Sequence, residues 1–511
     1  MLPFSSNCIE FAYFSSSPMA HMRAVCPTSE LLFLHIGKRV RRAMVGMLLA
    51  SLQGCGGPDL KPWHTERLTA EFDAGKTEEI RTFDDYMQLE DRLFAELKEK
   101  VYAHTGTGPE YALVRYSAGS AADPLVRQRN WNHSFEIPND NPVGGVLLLH
   151  GMSDSPYTYR ALGKALGENG YWVIGLRLPG HGTAPSGLTR ATWQDMAAAV
   201  EIAVAHLVSK VNDKPVHVVG YSTGAGLALN FALDALDGST SPLPASLILI
   251  SPAIGIHSAA ALAVWSDRIS RVPGLAGLRW AQIQPEFDPY KYNSFAINGG
   301  TQVHNLTRAV ARRVRERAES GSANNFPPTL VFKSTVDATV TNEALVDRLL
   351  ARLPPNRNEL VLFDINRSAI TSRLMISDPG PFTARLMTNP SLPFAIELIT
   401  NENPESSMVV SRRKPPNSNA VSPDEPLNIA WPRGVISLSH VALPFPPDDP
   451  FYGRGPPTSD DVVFLGQMAI QGERGLLKIP MDWMLRLRHN PFYPILESRL
   501  LEWLSDFQGK N

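Results

Sequence analysis

The sequence predicts a mostly parallel, doubly wound α/β sheet. Short, nearly continuous apolar runs alternate with helical stretches from Gly145 onward, and this order is typical of parallel strands joined by crossover helices. Strands that are buried on both faces lose the polar alternation of half-exposed strands, and helices must cover them. The predicted strands are residues 146–149, 172–176, 216–219, 247–250, 330–332 and 360–363. The predicted covering helices are residues 157–168, 193–208 and 226–236.

Other elements are expected around this core. Residues 84–101 carry apolar side chains at helical spacing, and short strands are expected from Tyr111 onward. Residues 253–325 separate two predicted strands by far more than an ordinary connection, which is typical of a lid or binding loop. We expect a helical lid there, rich in apolar and aromatic residues. Residues 366–432 form a second insertion, with a predicted hairpin of 394–400 and 408–412 and a segment without regular structure at 415–426.

The first 54 residues have the layout of an export signal. A positive cluster precedes an apolar run at 43–52, which is too short to span a bilayer as a helix. The run ends in Gln53-Gly54-Cys55, which resembles the bacterial lipoprotein signal and implies cleavage before Cys55 and a lipid on that cysteine. A buried helix that happens to end in Gly-Cys is the alternative. Because residues 1–39 carry no compact signal, we expect that the start is misassigned and that the real one lies near Val40.

These features predict an exported bacterial lipoprotein, anchored to a cell-envelope membrane by its N-terminal lipid and either periplasmic or at the cell surface. Residues 55–82 are expected to be a tether to a domain at 83–511. The other two cysteines, Cys8 and Cys26, lie upstream of the cleavage site, so the mature chain is expected to lack disulfides and thiolate chemistry. A net charge of -2 gives no reason to expect a nucleic-acid partner.

One motif predicts a nucleophile. Gly220-Tyr221-Ser222-Thr223-Gly224 follows a predicted buried strand and opens a predicted helix, which is the context of a nucleophile elbow with Ser222 at its tip. An oxyanion hole is then needed, and His150-Gly151-Met152 follows another predicted strand at the position that supplies one donor. We expect the backbone amides of Met152 and Thr223 to form it, and His150 to maintain the shape of its loop.

The base and the acid follow from chain order, because in this arrangement the acid precedes the histidine. After the lid, the remaining histidines are His440 and His489. His440 follows an apolar run and is favoured, whereas His489 lies in a basic, surface-like run. Asp337 directly follows the strand at 330–332 and is the predicted acid. Asp364, after the next strand, is its rival.

Three motifs together resemble one known family. They are His150-Gly151-Met152-Ser153-Asp154-Ser155-Pro156, Leu178-Pro179-Gly180-His181-Gly182 and the Ser222 motif. They are similar to the monoacylglycerol lipase and serine aminopeptidase-like branch of the α/β-hydrolases, over about residues 143–340 and the His440 segment. The resemblance implies an α/β-hydrolase fold and a structural role for His181. The branch contains esterases, lipases, thioesterases and peptidases, so it leaves the substrate open.

The expected activity is ester hydrolysis by a Ser222–His440–Asp337 triad through an acyl-enzyme, with no metal or cofactor. An apolar, aromatic lid favours a small-molecule ester or acyl substrate over a peptide. One alternative is a serine aminopeptidase-like enzyme, in which Glu286 and Asp288 would hold the substrate amine. The other is a non-catalytic hydrolase-fold lipoprotein that binds partners through its insertions.

Overall fold

The computed structural model describes residues 59–508 except 77, 239–241, 256–275, 323, 338–339, 356, 370–377, 434 and 456–486. The predicted export signal, Cys55 and the first part of the predicted lid therefore lie outside the described residues. Within those that are described, no helix is both long enough and apolar enough to cross a membrane.

A ten-stranded sheet forms the centre of the described chain, in the order β1-β3-β2-β4-β5-β8-β9-β10-β11-β12. Neighbours from β3 to β10 pair in parallel, whereas β1, β11 and β12 pair antiparallel at the two edges. β6 and β7 form a separate two-stranded ribbon. The strands are β1 Phe135–Ile137, β2 Gly144–Leu149, β3 Tyr171–Leu176, β4 Val216–Tyr221, β5 Ser246–Ile250, β6 Trp280–Gln282, β7 Phe295–Ala296, β8 Thr329–Ser334, β9 Glu359–Phe363, β10 Ala395–Asn401, β11 Met408–Lys414 and β12 Glu425–Ala430.

Helices cover both faces of this sheet, as the sequence predicts. They are α1 Pro62–Thr65, α2 Phe83–Lys100, α3 Arg160–Glu168, α4 Trp193–Val211, α5 Thr223–Leu236, α6 Ile297–Glu319, α7 Asn342–Arg348, α8 Gly380–Thr388 and α9 Tyr493–Ser505. One apolar core lies between the sheet and helices that include α2, α4, α5 and α6. A second core lies on the opposite face, under α3 and α9. Every residue of β2, β4, β5 and β8 is buried, which explains why these strands are mostly apolar.

The second insertion is part of the sheet. The predicted hairpin forms as β10 and β11, and β10 adds to β9 in parallel. β12 then pairs with β11, so that Glu425 and Pro426, which were expected to lack regular structure, form the start of a strand. Residues 366–432 therefore widen the sheet beyond β9.

The expectation of a free tether does not fit the described part of residues 55–82. Trp63, Phe72 and Ile80 are each less than 10% exposed because they pack against the body of the protein. Glu71 also forms an ion pair of 3.0 Å with Arg177, whose side chain is fully buried. The apolar residues scattered through this polar segment are the reason that it docks.

The short strands expected from Tyr111 are mostly absent from the described structure. Residues 111–134 form turns and short 3₁₀ helices, and the region contributes β1 at Phe135–Ile137. β1 pairs antiparallel with β3 and ends the sheet on that side.

Candidate active site

Ser222 lies on a sharp turn between β4 and α5. Its φ of 54° and ψ of −111° are rare for a residue with a Cβ. The glycines of the motif permit this turn: a Cβ on Gly220 would lie 2.5 Å from the backbone of Ala225, and one on Gly224 would overlap the carbonyl oxygen of Leu149. Since Ser222 itself stays partly exposed, the turn presents its hydroxyl at the carboxyl edge of the sheet.

The structure brings together the three side chains that the sequence nominates. Ser222 Oγ lies 3.1 Å from His440 Nε2, and His440 Nδ1 lies 2.8 Å from Asp337 Oδ2. In the tautomer with a proton on Nδ1, the ring donates to Asp337 and leaves Nε2 free to accept from the serine hydroxyl. This arrangement is the one that makes serine nucleophilic in acyl-transfer sites.

Asp337 has a second basic neighbour, Lys333, which no sequence motif indicates. Lys333 Nζ lies 2.7 Å from the same oxygen, and both side chains are fully buried. The other oxygen of the carboxylate accepts the backbone N–H of Val340 at 3.1 Å. Burial raises the pKa of the Asp337 carboxyl, but the hydrogen bonds and charges of His440 and Lys333 outweigh it and hold that pKa well below its usual range. Asp337 is therefore ionised throughout the neutral range.

The two rival residues are engaged elsewhere. Asp364 pairs with Arg367 at 3.0 Å and accepts the hydroxyl of Thr400 at 2.9 Å. His489 is only 1% exposed, so the expectation of a solvated histidine is wrong. Its burial lowers the pKa of the ring.

The two expected oxyanion donors belong to the Ser222 turn and to the loop after β2. Thr223 is the first residue of α5, and the first amides of a helix have no acceptor within the helix. Met152 follows β2, and its side chain packs among the apolar residues that include Leu188 and Val303.

Two buried histidines hold the surrounding loops. His150 bonds to the carbonyl of Gly151 at 2.8 Å and accepts the N–H of Leu178 at 3.1 Å. His181 bonds to the carbonyl of Pro179 at 3.0 Å. Burial lowers the pKa of each ring to about 3, so both remain neutral scaffolding at physiological pH.

The described part of the predicted lid contacts residues 150–156, a segment called the oxyanion loop below because it contains the predicted donor Met152. Lys291 Nζ lies 2.7 Å from Asp154 Oδ1, and the N–H of Tyr292 donates to the carbonyl of Ser153 at 2.9 Å. Both contacts follow Met152 within two residues. No pattern in the sequence predicts this connection, because it joins two segments that are distant along the chain.

Glu286 and Asp288 do not present free carboxylates. Glu286 is fully buried and accepts the backbone N–H groups of Asn293 and Ser294 at 3.0 and 2.7 Å. Asp288, equally buried, accepts the Tyr452 hydroxyl at 2.7 Å and pairs with Arg488 at 3.2 Å. The expectation that they hold a substrate amine is therefore wrong.

Several aromatic side chains of the predicted lid are also used in packing. Phe287 and Tyr290 lie in a buried cluster with Tyr157, Phe445, Phe451 and Tyr452. These two side chains join the predicted lid to the loop that follows His440. Because they are buried in this cluster, they do not form an apolar surface for a substrate.

The strand order and the elbow after β4 define an α/β-hydrolase fold. Residues 140–366 match the family model described as serine aminopeptidase, S33. A thermostable monoacylglycerol lipase from Bacillus sp. (strain H-257) is 38% identical over 93 residues, 18% of this chain and 36% of that protein. The magnesium-chelatase 30 kDa subunit of Rhodobacter capsulatus is 38% identical over 98 residues, 19% of this chain and 32% of that protein.

The matched segments thus span about a third of each of these relatives. Among solved structures, a soluble variant of monoglyceride lipase from Saccharomyces cerevisiae has 19% identity and a TM-score of 0.36, and the alignment covers 45% of this chain and 82% of that one.

Proposed function

We propose that this protein is a serine hydrolase that cleaves a carboxylic ester through an acyl-enzyme. One observation carries the proposal: Ser222 Oγ, the His440 ring and the Asp337 carboxylate form a continuous hydrogen-bonded chain, with distances of 3.1 and 2.8 Å. Ser222 stands at the tip of a strained turn, and the expected oxyanion donors are the amides of Thr223, next in the chain, and of Met152, in the loop after β2. Nucleophile, base, acid and oxyanion donors are the groups on which serine acyl-transfer sites of this kind rely.

The reaction follows from these positions. His440 Nε2 takes the proton of Ser222 as the serine oxygen attacks the ester carbonyl, and the amides of Met152 and Thr223 bind the resulting oxyanion. The imidazolium then gives that proton to the departing alcohol, which leaves Ser222 acylated. Water, deprotonated by His440, attacks the acyl group, and the proton returns to Ser222 as the acid is released. Asp337 orients the ring and stabilises its positive charge.

An ester is favoured over an aminoacyl substrate for two reasons. A free amine needs a carboxylate to receive it, and both carboxylates nominated for that role have internal partners. Met152 contributes its side chain to apolar clusters around the predicted oxyanion hole, which suits an acyl chain. The similarity to a protein named as a monoacylglycerol lipase supports the same class.

A substrate panel tests the proposal. The protein is assayed on p-nitrophenyl esters of increasing chain length and on aminoacyl anilides, beside Ser222→Ala and a matched control, Ser209→Ala, on the exposed face of α4. We expect ester turnover in the wild type and in the control, and loss by at least about a thousandfold in Ser222→Ala. Turnover of anilides alone, or no turnover by folded protein, would remove the ester assignment.

We further propose that the chain is exported and carries lipid on Cys55. The basic cluster and the apolar run that precede this residue support the proposal. Expression in a bacterial host with a clickable fatty acid tests it. Label in the wild type and none in Cys55→Ser is expected, and equal labelling of both would contradict it. N-terminal sequencing of the native precursor tests the proposed start near Val40, which residues 1–39 in the product would rule out.

A further inference from the structure

Lys333 is an unusual residue for its position. It lies in β8, a strand whose every residue is buried, and its side chain has no exposed surface. Among the described residues, Lys333 Nζ pairs with Asp337, four residues on, at 2.7 Å. Burying a lysine costs free energy unless its charge is paired. Lys333 and Asp337 must therefore be buried together as an ion pair.

The lysine and the histidine use the same oxygen atom. Asp337 Oδ2 lies 2.7 Å from Lys333 Nζ and 2.8 Å from His440 Nδ1. The two nitrogens are therefore no farther apart than the sum of those distances. A cation at that range, in a buried site, acts strongly on the charge of the imidazole.

We propose that Lys333 is a positioning residue that acts on His440 through Asp337, by sharing the negative charge of that carboxylate with the ring; this rests on the proposed serine hydrolase function. With Lys333 charged, the resting site of lysine, aspartate and neutral histidine carries no net charge. Protonation of His440 then adds a second cation beside an already neutralised carboxylate. Lys333 therefore opposes a second positive charge on the ring, and the neutral ring is the form that accepts the proton of Ser222.

Among the described residues, few charged or titratable groups other than Asp337 face Lys333 and His440. Tyr221, from β4, places its ring 5.3 Å from the His440 ring and donates its hydroxyl to the His440 carbonyl. Asp364, at the end of β9, is neutralised by Arg367. Burial lowers the pKa of Lys333, and the charge and hydrogen bond of Asp337 oppose that effect.

Two variants separate the charge of Lys333 from its hydrogen bond. Lys333→Met removes both, whereas Lys333→Gln removes the charge and keeps a donor for Asp337, which also protects the fold. The rate of covalent labelling by a fluorophosphonate probe is measured from pH 4 to pH 9, because this readout needs no known substrate. Thermal unfolding at each pH checks that the proteins are folded.

The expected result is a shift of the acid limb of the rate profile to higher pH in both variants, by roughly one unit or more. At high pH, Lys333→Gln labels close to the wild-type rate and Lys333→Met more slowly, since only the latter loses the donor that orients Asp337. A lysine with a purely structural role would lower the rate equally at all pH values.

Lys414→Met is the matched control. Lys414 is also a buried lysine, at 1% exposed, but lies on β11 near the edge of the sheet, and its loss is expected to leave the acid limb unchanged. Labelling of the wild type with an unmoved acid limb in both Lys333 variants overturns this proposal alone. Absence of labelling in the folded wild type at every pH overturns the proposed function as well.

Discussion

His440 Nδ1 lies 2.8 Å from Asp337 Oδ2 although 103 residues separate the two along the chain. The intervening residues include β9, α8, β10, β11 and β12, and the strands among them extend the sheet. Two hydrogen bonds hold the loop that carries His440. Ser334 Oγ donates to the carbonyl of Leu438 at 2.9 Å, and the Tyr221 hydroxyl donates to the carbonyl of His440 at 3.3 Å. These contacts fix the position of His440 after the long intervening segment.

Asp337→Asn tests the assignment of the acid. The amide cannot hold the ring in the required tautomer or stabilise its positive charge, so we expect ester turnover to fall by roughly three to four orders of magnitude. Asp364→Asn is the matched control, because that carboxylate pairs with Arg367 instead. Initial rates on a p-nitrophenyl ester, normalised to folded protein, measure both. Equal losses in the two variants would contradict the assignment.

Gly224→Ala tests the steric basis of the elbow. Because the new methyl group would overlap the carbonyl oxygen of Leu149, we expect a lower melting temperature and little labelling of Ser222 by a fluorophosphonate. Gly300→Ala serves as the comparison, since its added Cβ meets only the ring of Phe295 at ordinary contact distance, 3.5 Å. A fully active Gly224→Ala protein would show that the turn is not constrained in this way.

Lys291→Met tests the connection between the lid segment and the oxyanion loop. Loss of the 2.7 Å contact with Asp154 frees the residues next to Met152, and small displacements of a donor reduce rates by up to about a hundredfold. We expect kcat to fall about ten- to a hundredfold with a smaller change in KM. Steady-state kinetics on one ester measure this, and an unchanged kcat would show that the loop holds its shape without the ion pair.

Glu286→Gln tests a pH dependence of stability. Burial raises the pKa of Glu286 from 4.5 to about 7, so the folded protein keeps a proton that the unfolded chain has lost between those values. The free energy of unfolding therefore falls as pH rises through this window, by about 3 kcal/mol from this group.

The glutamine variant is expected to lose that slope, at a fixed cost of about 1 kcal/mol at every pH for the altered hydrogen bonds to Asn293 and Ser294. Urea unfolding from pH 5 to pH 8 measures the effect, with the exposed Glu110→Gln as control. A slope equal to that of the wild type would contradict the pKa shift.

Sequence patterns predicted the parts of the fold in which local composition and burial agree. The six predicted strands are present because each is largely buried on both faces and so is mostly apolar. Ser222 was identifiable because a strand, two glycines and a helix surround it. Local context favoured His440 over His489 and Asp337 over Asp364, but their choice also required the order of the chain.

Several side-chain contacts escaped prediction. Lys333 breaks an apolar run four residues before Asp337, and that is the only sign of their ion pair. Glu286 and Asp288 resemble an exposed acidic pair in the sequence, yet partners as distant as Arg488 bury and occupy them. Residues 59–82 look polar and extended, but a few apolar side chains among them are enough to dock the segment on the protein.

Mass spectrometry of the protein after reaction with a fluorophosphonate tests the central claim most directly. We expect one adduct per chain, located on the peptide that contains Ser222, and its absence in His440→Ala and in heat-unfolded protein. An intact, folded protein that forms no adduct, or that forms one elsewhere while Ser222 stays unmodified, would contradict the assignment of Ser222 as the nucleophile.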